Sequence, residues 1–336
     1  MFIASADRPL ALLSACPVYA PTPLRRVDAL AAETGAAHIF VKDESRRMRL
    51  GSFKALGGAY AVAQIIAGEA GTTDLFSPAA RRVAAGMTFI TASAGNHGLS
   101  VAAGAGLFGA RSVIVLSEMV PEAFAKRIHA KGADVMRVPG DYEASIAAAT
   151  AEAKRNGWIL LADGSWEGNV ERPALIMEGY TVLAEECRAA FAEMEAWPTH
   201  ILLQAGVGGL AAAVARHVRL NWDGSPEIIV VEPEAAPCLK LSMAVGHLVH
   251  AAGPVSTMGR LDCKDASLLA FETLREDASD FVTVSDAGAA EAAEDFARHG
   301  IPTTPSGAAG LAALKGMALP ADARCLVIVS EGPEGA

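Results

Sequence analysis

One lysine stands at the head of a run of small residues, Phe53-Lys54-Ala55-Leu56-Gly57-Gly58-Ala59-Tyr60, directly after the turn Gly51-Ser52. At a helix start beside the apolar Phe53 it is poorly solvated, and desolvation disfavours the ammonium form and frees the amine to attack an aldehyde as a Schiff base. Two turns could hold anions. Thr91-Ala92-Ser93-Ala94-Gly95-Asn96-His97-Gly98 lies between the apolar run Met87 to Ile90 and the helix-like Leu99 to Gly104. A strand, a polar turn and a helix start leave several backbone amides aimed at one spot, which suits a carboxylate. Gln204-Ala205-Gly206-Val207-Gly208-Gly209-Leu210 sits between a strand at Ile201 to Leu203 and a small-residue helix from Ala211 to Val218. There the backbone can close on a phosphate at the positive end of the helix. Near the C-terminus the apolar run Val327-Ile328-Val329 ends in Ser330-Glu331-Gly332, offering a neutral hydroxyl. Asp163 ends the run from Trp158, where a turn aspartate is common on structural grounds and where open α/β sheets also place ligand-contacting residues.

An early lysine, a Ser-x-Gly-Asn turn, a glycine-rich loop and a late serine, in that order, resemble the fold-type II pyridoxal-phosphate enzymes. This is the tryptophan-synthase-β-like group that includes serine and threonine dehydratases. Within it the closer likeness is to the diaminopropionate ammonia-lyases. It is carried by Phe53 to Gly58, Asp163-Gly164-Ser165-Trp166-Glu167-Gly168, Ile176-Met177-Glu178-Gly179-Tyr180, Gln204 to Gly208 and Val231-Glu232-Pro233.

The resemblance implies pyridoxal 5'-phosphate held by Lys54 beside Phe53. Asn96 would face its phenolic oxygen, Gly206, Val207, Gly208, Gly209 and Leu210 its phosphate, and Ser330 its ring nitrogen. Ser93, Ala94, Gly95, Asn96 and His97 would hold the substrate carboxylate, and Asp163 the distal amine. The implied reaction is β-elimination on a small amino acid, 2,3-diaminopropionate, to pyruvate and ammonia. Two departures stand out. Ala94 occupies the place of an aspartate thought to act on the D-enantiomer, so the L-isomer is expected to be preferred. Thr304-Pro305-Ser306-Gly307-Ala308 has proline where a glutamate is common.

Three other readings compete. The Ser93-Ala94-Gly95-Asn96-His97 form is also that of threonine dehydratases, which makes a serine, threonine or other hydroxyamino-acid dehydratase the runner-up. Gly206 to Ala211 fits the loose dinucleotide pattern, and Glu232 stands where a ribose-binding acid would, as in a nicotinamide-dependent dehydrogenase. That leaves the lysine turn unexplained. A non-catalytic protein that carries the cofactor is the third. His97 reads as a packed helix-start residue, and Asp43-Glu44 as a solvated turn at a strand end.

The elements that must position these residues alternate along the chain. Strand-like runs occur at His38 to Lys42, Thr88 to Ala92, Ser112 to Leu116, Asp134 to Val138, Trp158 to Leu161, Ile201 to Leu203, Glu227 to Val231 and Cys325 to Val329, with helix-length segments between many of them. That pattern predicts an α/β protein of right-handed βαβ units. The resemblance gives it two domains, each an open, mostly parallel sheet with helices on both faces: 1–83 with 164–336, and a smaller mobile 84–163. Tyr19 to Leu24 reads as an extended lead-in after an irregular opening, and Leu75 to Arg82 as a proline-containing linker.

At 336 residues the chain exceeds what one core usually serves. Its formal charge of −10 argues against nucleic acid or an anionic membrane as partner. Five scattered cysteines without C-x-x-C spacing suit a reducing cytoplasm, and the early Asp7 and Arg8 argue against a signal peptide. The uncharged stretch Ala84 to Ala110 approaches membrane-spanning length, but its Ser, Asn, His and glycine-rich turn makes it read as strand, turn and buried helix and not as a bilayer span. A homodimer is expected from the resemblance.

Overall fold

The computed structural model describes residues 2–93, 95–140 and 142–333. In chain order the strands are β1 (Leu24–Arg26), β2 (His38–Asp43), β3 (Thr88–Ala92), β4 (Arg111–Ser117), β5 (Asp134–Val138), β6 (Ile159–Leu160), β7 (His200–Gln204), β8 (Glu227–Pro233), β9 (Asp280–Val284) and β10 (Arg324–Val329). They form a six-stranded sheet, β1-β2-β10-β7-β8-β9, and a four-stranded sheet, β5-β4-β3-β6. Every pairing is parallel except β1 with β2.

The helices are α1 (Asp7–Leu13), α2 (Asp28–Thr34), α3 (Lys54–Ala70), α4 (Pro78–Ala85), α5 (Asn96–Phe108), α6 (Glu122–His129), α7 (Tyr142–Asn156), α8 (Glu171–Met194), α9 (Gly209–Asn221), α10 (Cys238–Val245), α11 (Leu268–Asp277), α12 (Asp286–Arg298) and α13 (Pro305–Lys315).

Strand alternation divides the large sheet's side chains between two cores. Ile201, Leu203, Ile228, Val230, Leu326 and Ile328 pack on one face with α3, α8, α9 and α11. Leu202, Ile229, Val231, Val327 and Val329 pack on the other with α2, α12 and α13. The small sheet does the same: Ile90, Val113 and Val115 face α7, and Ile114 and Leu116 face α5 and α6. Burial on both faces is why these strands read as nearly continuous apolar runs.

Three expectations need correction. The segment taken as a linker contains α4, because Pro78 sits in the first helical turn and the Ser77 hydroxyl accepts the Ala80 N–H. Proline is preorganised there and loses no hydrogen bond it would have made. The opening is not irregular throughout, since α1 precedes the lead-in, and the sheet's edge strands β1 and β9 were not foreseen. Asp43 and Glu44 are not solvated: they are 6% and 0% exposed. Arg47 grips Glu44 through two nitrogens at 2.6 and 2.7 Å and also meets Glu186. Lys42 Nζ donates to Glu186 at 2.6 Å and to the Thr22 carbonyl at 2.7 Å, while Tyr19 O–H donates to Glu186. The extended lead-in thus supplies partners for four buried charges, the condition under which charges survive burial.

α3 carries the lysine and crosses α8 and α5 at close range. A Cβ on Gly57 would run into Tyr180 and Ile176, and one on Gly179 into the Leu56 carbonyl. Gly57 of the lysine motif and Gly179 of α8 therefore let the two helices touch and bring Tyr180 beside Lys54.

Candidate active site

The C-terminal ends of parallel strands and the helix starts that follow them converge on a cavity of about 370 Å³. Lys54 and Phe53 line it from the start of α3. Ser93, Gly95, Asn96 and His97 line it from the β3–α5 turn, and Gly206 to Leu210 from the β7–α9 turn. Asp163, beyond β6, and Ser330, just past β10, complete the set. Ala94 lies outside the described residues.

Lys54 Nζ donates to Asp163 Oδ2 at 2.6 Å, and both side chains are just over four-fifths buried. Burial pulls the ammonium down, as expected from sequence, but Asp163 and Tyr180 outweigh it, and the lysine stands above its ordinary range. Burial likewise pushes Asp163 up, yet the Lys54 ammonium holds it below the usual carboxylate range. The expectation that desolvation frees the amine is thus corrected by the neighbouring carboxylate. Phe53 and Tyr180 meet edge to face at 4.9 Å between centroids, with Nζ 5.3 and 5.7 Å from the two rings.

Serines fix the turn that follows Asp163. Ser165 N–H donates to Ser267 Oγ at 3.0 Å, the two hydroxyls are 2.7 Å apart, and Ser165 Oγ accepts the Leu269 N–H. Ser267 N–H in turn donates to the Val207 carbonyl. The aspartate turn and the glycine loop therefore form one stitched unit.

His97 is buried, as expected of a packed helix-start residue, and Nε2 lies 2.7 Å from the Leu161 carbonyl. A carbonyl only accepts, so Nε2 carries the hydrogen. Burial lowers the ring's pKa and keeps it neutral, leaving Nδ1 a lone pair with no partner among the described residues. Asn96 Nδ2 donates to the Glu331 carboxylate, which also accepts from Thr304 Oγ1. The Thr304-Pro305 departure is a helix cap: the Thr304 hydroxyl accepts the Gly307 N–H, and Pro305 opens α13.

In the glycine loop, Gly208 needs to lack a side chain for two reasons. Its φ of +98° is left-handed, so a side chain is strained there. Its missing Cβ, however, points at Leu239 and Ala270, 2.8 Å from each, and not into the cavity. Gly206 is pressed against Cys263 and the Arg260 carbonyl in the same way. The loop's packed side thus faces protein, which leaves its backbone lining the cavity at the start of the 13-residue α9.

Glu232 does not act as a ribose-binding acid. It is fully buried, and its oxygens accept the Leu239 and Lys240 N–H groups at 2.8 and 2.7 Å, capping α10. Burial pushes it up to about 7.

An amine, an anion cradle at a helix start and a neutral hydroxyl converge on one cavity, which fits a cofactor carrying an aldehyde, a phosphate and a ring nitrogen. The family model for pyridoxal-phosphate dependent enzymes matches residues 16–331. The chain belongs to that family. Its cofactor is pyridoxal phosphate, and its fold is that of the fold-type II members. It is 36% identical over 278 residues to the diaminopropionate ammonia-lyase of Escherichia coli (strain K12), covering 81% of this chain and 70% of that protein. The holo crystal structure of diaminopropionate ammonia lyase from Escherichia coli superposes with a TM-score of 0.87 at 32% identity, covering 97% and 88% of the two chains. A probable D-serine dehydratase of Acidovorax ebreus (strain TPSY) is 28% identical over 252 residues, covering 70% and 54%.

Several residues that line or brace the site escaped sequence reasoning. Glu331 directly follows the serine at the end of β10. Tyr142, Arg260 and Cys263 also line the cavity, but Arg260 and Cys263 lie in the irregular segment before α11, which carries no periodic signal. The pairing of Ser165 with Ser267 joins positions far apart in sequence, so neither serine stands out alone. Among the described residues no helix is long and apolar enough to cross a membrane.

Proposed function

We propose that this chain is a carbon–nitrogen lyase that converts 2,3-diaminopropionate to pyruvate and ammonia. The observation that carries the proposal is Lys54 Nζ at 2.6 Å from Asp163 Oδ2 in a cavity faced by both anion-binding turns. Lys54 anchors the cofactor and, once displaced by substrate, takes the Cα proton. Pyridoxal phosphate, when bound, withdraws electrons from Cα and so makes that proton removable. Backbone amides from Ser93 to Asn96 hold the substrate carboxylate, and those from Gly206 to Leu210 the cofactor phosphate. Ser330 offers a hydroxyl that cannot keep a ring nitrogen protonated as an aspartate would, which favours elimination over transamination. Asp163 pairs with the distal ammonium by a charge-assisted hydrogen bond, and its contact with Lys54 also lets it hold the proton at Nζ. His97 packs against the Leu161 carbonyl and orders the turn.

With alanine at position 94, where the lyase pattern has an aspartate, the chain lacks that carboxylate, so the L-isomer is preferred; efficient turnover of the D-isomer would overturn this. We also take residues 84–163 to move as a unit against 1–83 and 164–336, in keeping with the confinement of β3 to β6 to that stretch. The enzyme is proposed to work as a cytoplasmic homodimer. The five free cysteines are in keeping with a reducing compartment, and sedimentation of the holoenzyme tests the dimer.

The second reading, a hydroxyamino-acid dehydratase, is favoured by the Ser93-Ala94-Gly95-Asn96-His97 form and by the dehydratase relatives. Purified holoenzyme offered L- and D-diaminopropionate, serine, threonine and hydroxyaspartate, scored by oxoacid release, separates the two. Diaminopropionate should be fastest. Serine or threonine outpacing it would make the chain a dehydratase, and no product from any would favour a non-catalytic carrier.

A further inference from the structure

A second cavity, of about 490 Å³, adjoins the reaction cavity. Tyr142, Asp163, Val207, Asp262 and Cys263 line both, so the two spaces share a wall that contains the carboxylate next to Lys54. Ile146 and Ala149 from α7 and Leu160 from β6 give it an apolar stretch, beside the charged Glu143, Lys264 and Asp265. At its rim three large apolar side chains face solvent, Tyr142 at 46% exposed, Trp166 at 37% and Val255 at 85%. Exposed apolar groups clustered round a concavity mark a place where an apolar ligand is taken up. A three-carbon diamino acid reaching Asp163 from the reaction cavity fills none of this space.

We propose that the second cavity receives an aromatic substituent on the β-nitrogen of the substrate, so that the enzyme also cleaves N(β)-arylalkyl-2,3-diaminopropionates and releases the corresponding primary amine. The inference rests on the lyase reading above and extends its substrate class. With the β-ammonium at Asp163, a group on that nitrogen continues past the shared wall to Ile146 and Leu160, and Tyr142 and Trp166 offer ring faces. The chemistry balances without an oxidant. The Cα–H proton is removed, the Cβ–N bond breaks with its electron pair leaving on nitrogen, and that nitrogen takes up a proton. One water hydrolyses the remainder, so that R–NH–CH2–CH(NH2)–COOH and water give pyruvic acid, ammonia and R–NH2. Selectivity then depends on the chamber, because the groups at Cα are the same for both substrates.

The test compares holoenzyme on N(β)-benzyl-L-2,3-diaminopropionate and L-2,3-diaminopropionate, measuring pyruvate and benzylamine. The benzyl compound should be cleaved with a kcat/KM no more than about thirtyfold below that of the parent, one benzylamine appearing per pyruvate. A larger deficit overturns the inference and leaves the lyase reading standing, whereas turnover of neither compound removes both. Ile146→Trp, which narrows the chamber without touching the reaction cavity, should lower kcat/KM for the benzyl compound at least about tenfold while the parent stays within about twofold. Equal losses on both would count against the chamber. Ile146→Ala, which makes no steric demand, should leave both rates near wild type, and the wild-type ratio decides the question should the tryptophan variant fail to fold.

Discussion

Two groups of opposite charges lie on either side of the turn that leads into α3, and they are built to different ends. Upstream, Lys42, Glu44, Arg47 and Glu186 are almost wholly enclosed, and backbone and hydroxyl groups of Tyr19, Ala20 and Thr22 occupy their remaining hydrogen-bonding positions. Downstream, Lys54 and Asp163 face a cavity, about a fifth exposed, with one hydrogen bond between them. Burial raises the carboxylate in both settings, and in both the neighbouring cations more than reverse it. What differs is how many partners remain to be found. The upstream group is saturated and can only hold; the downstream pair can exchange its partner for a substrate or a cofactor.

The segment between them passes on this rigidity. Met48 and Arg49 have φ of +48° and +57°, left-handed for two consecutive residues that are not glycine. Such backbone costs about 1–2 kcal/mol per residue and persists only where its surroundings fix it. Arg47 anchors one side of this turn. On the other, Gly332 N–H donates to the Gly51 carbonyl and Phe53 N–H to the Ser330 carbonyl. The lysine and the serine are therefore tied to each other through the backbone before any ligand binds.

The largest effect expected from breaking the contrast is at the downstream pair. Lys54→Ala should abolish both turnover and the visible, borohydride-reducible chromophore while the far-ultraviolet dichroism is kept; retention of both by the variant would remove Lys54 from the centre of the site. Next in size, Asp163→Asn removes a charge-assisted contact worth about 1.5–3 kcal/mol, so kcat/KM for diaminopropionate should fall roughly ten- to a hundredfold with serine turnover little changed. Equal losses on both substrates would assign Asp163 to the lysine and not to the distal ammonium. The same change leaves burial as the main influence on Lys54, which lowers its pKa; apoprotein should then capture pyridoxal phosphate at a lower pH than wild type does.

Glu186→Gln addresses the saturated group. It leaves Lys42 and Arg47 short of a counter-charge, which should cost about 3–5 kcal/mol of stability in chemical denaturation, while kcat per folded molecule stays within about twofold. A large drop in kcat without loss of stability would mean that the upstream group takes part in the chemistry. The smallest effect is in the shape of the pH profile. His217 is pushed down to about 4, first by burial, so its contribution to stability is complete above the unfolded histidine value of about 6.5 and is lost as pH falls from there towards about 4. Asp163 and Glu186, held below the usual carboxylate range, contribute above the unfolded value of about 4 and lose that contribution only as pH falls further. Glu232, pushed up to about 7, acts in the opposite sense over the same window, since its stabilisation grows as pH falls from about 7 to its unfolded value. The His217 share is therefore read from a variant: in paired melting series His217→Asn should gain on wild type as pH falls from about 6.5 towards about 4, ahead of the loss from the two carboxylates.

Much of this was legible in the residues alone. A lysine before a pair of glycines, two small-residue turns and a strand ending in serine are local patterns, and local patterns follow from what the backbone permits at each position. The parallel strands were visible for the same reason, since burial on both faces leaves an apolar run that no turn residue interrupts. Local reading misled at Leu75 to Arg82, where proline counted as a break although Ser77 makes it a helix start.

What the chain could not display was which distant groups would meet. Glu44 looks solvated until Glu186, from the middle of α8, closes over it with Lys42 and Arg47. Glu232 resembles a ligand-binding acid until the start of α10 claims both its oxygens. Gly208 belongs to a loop read only as an anion site, yet its missing side chain makes room for Leu239 and Ala270. The protonation preference of Lys54 was unreadable for the same reason: burial and an opposite charge act on it in opposite senses, and only the fold sets how near Asp163 comes.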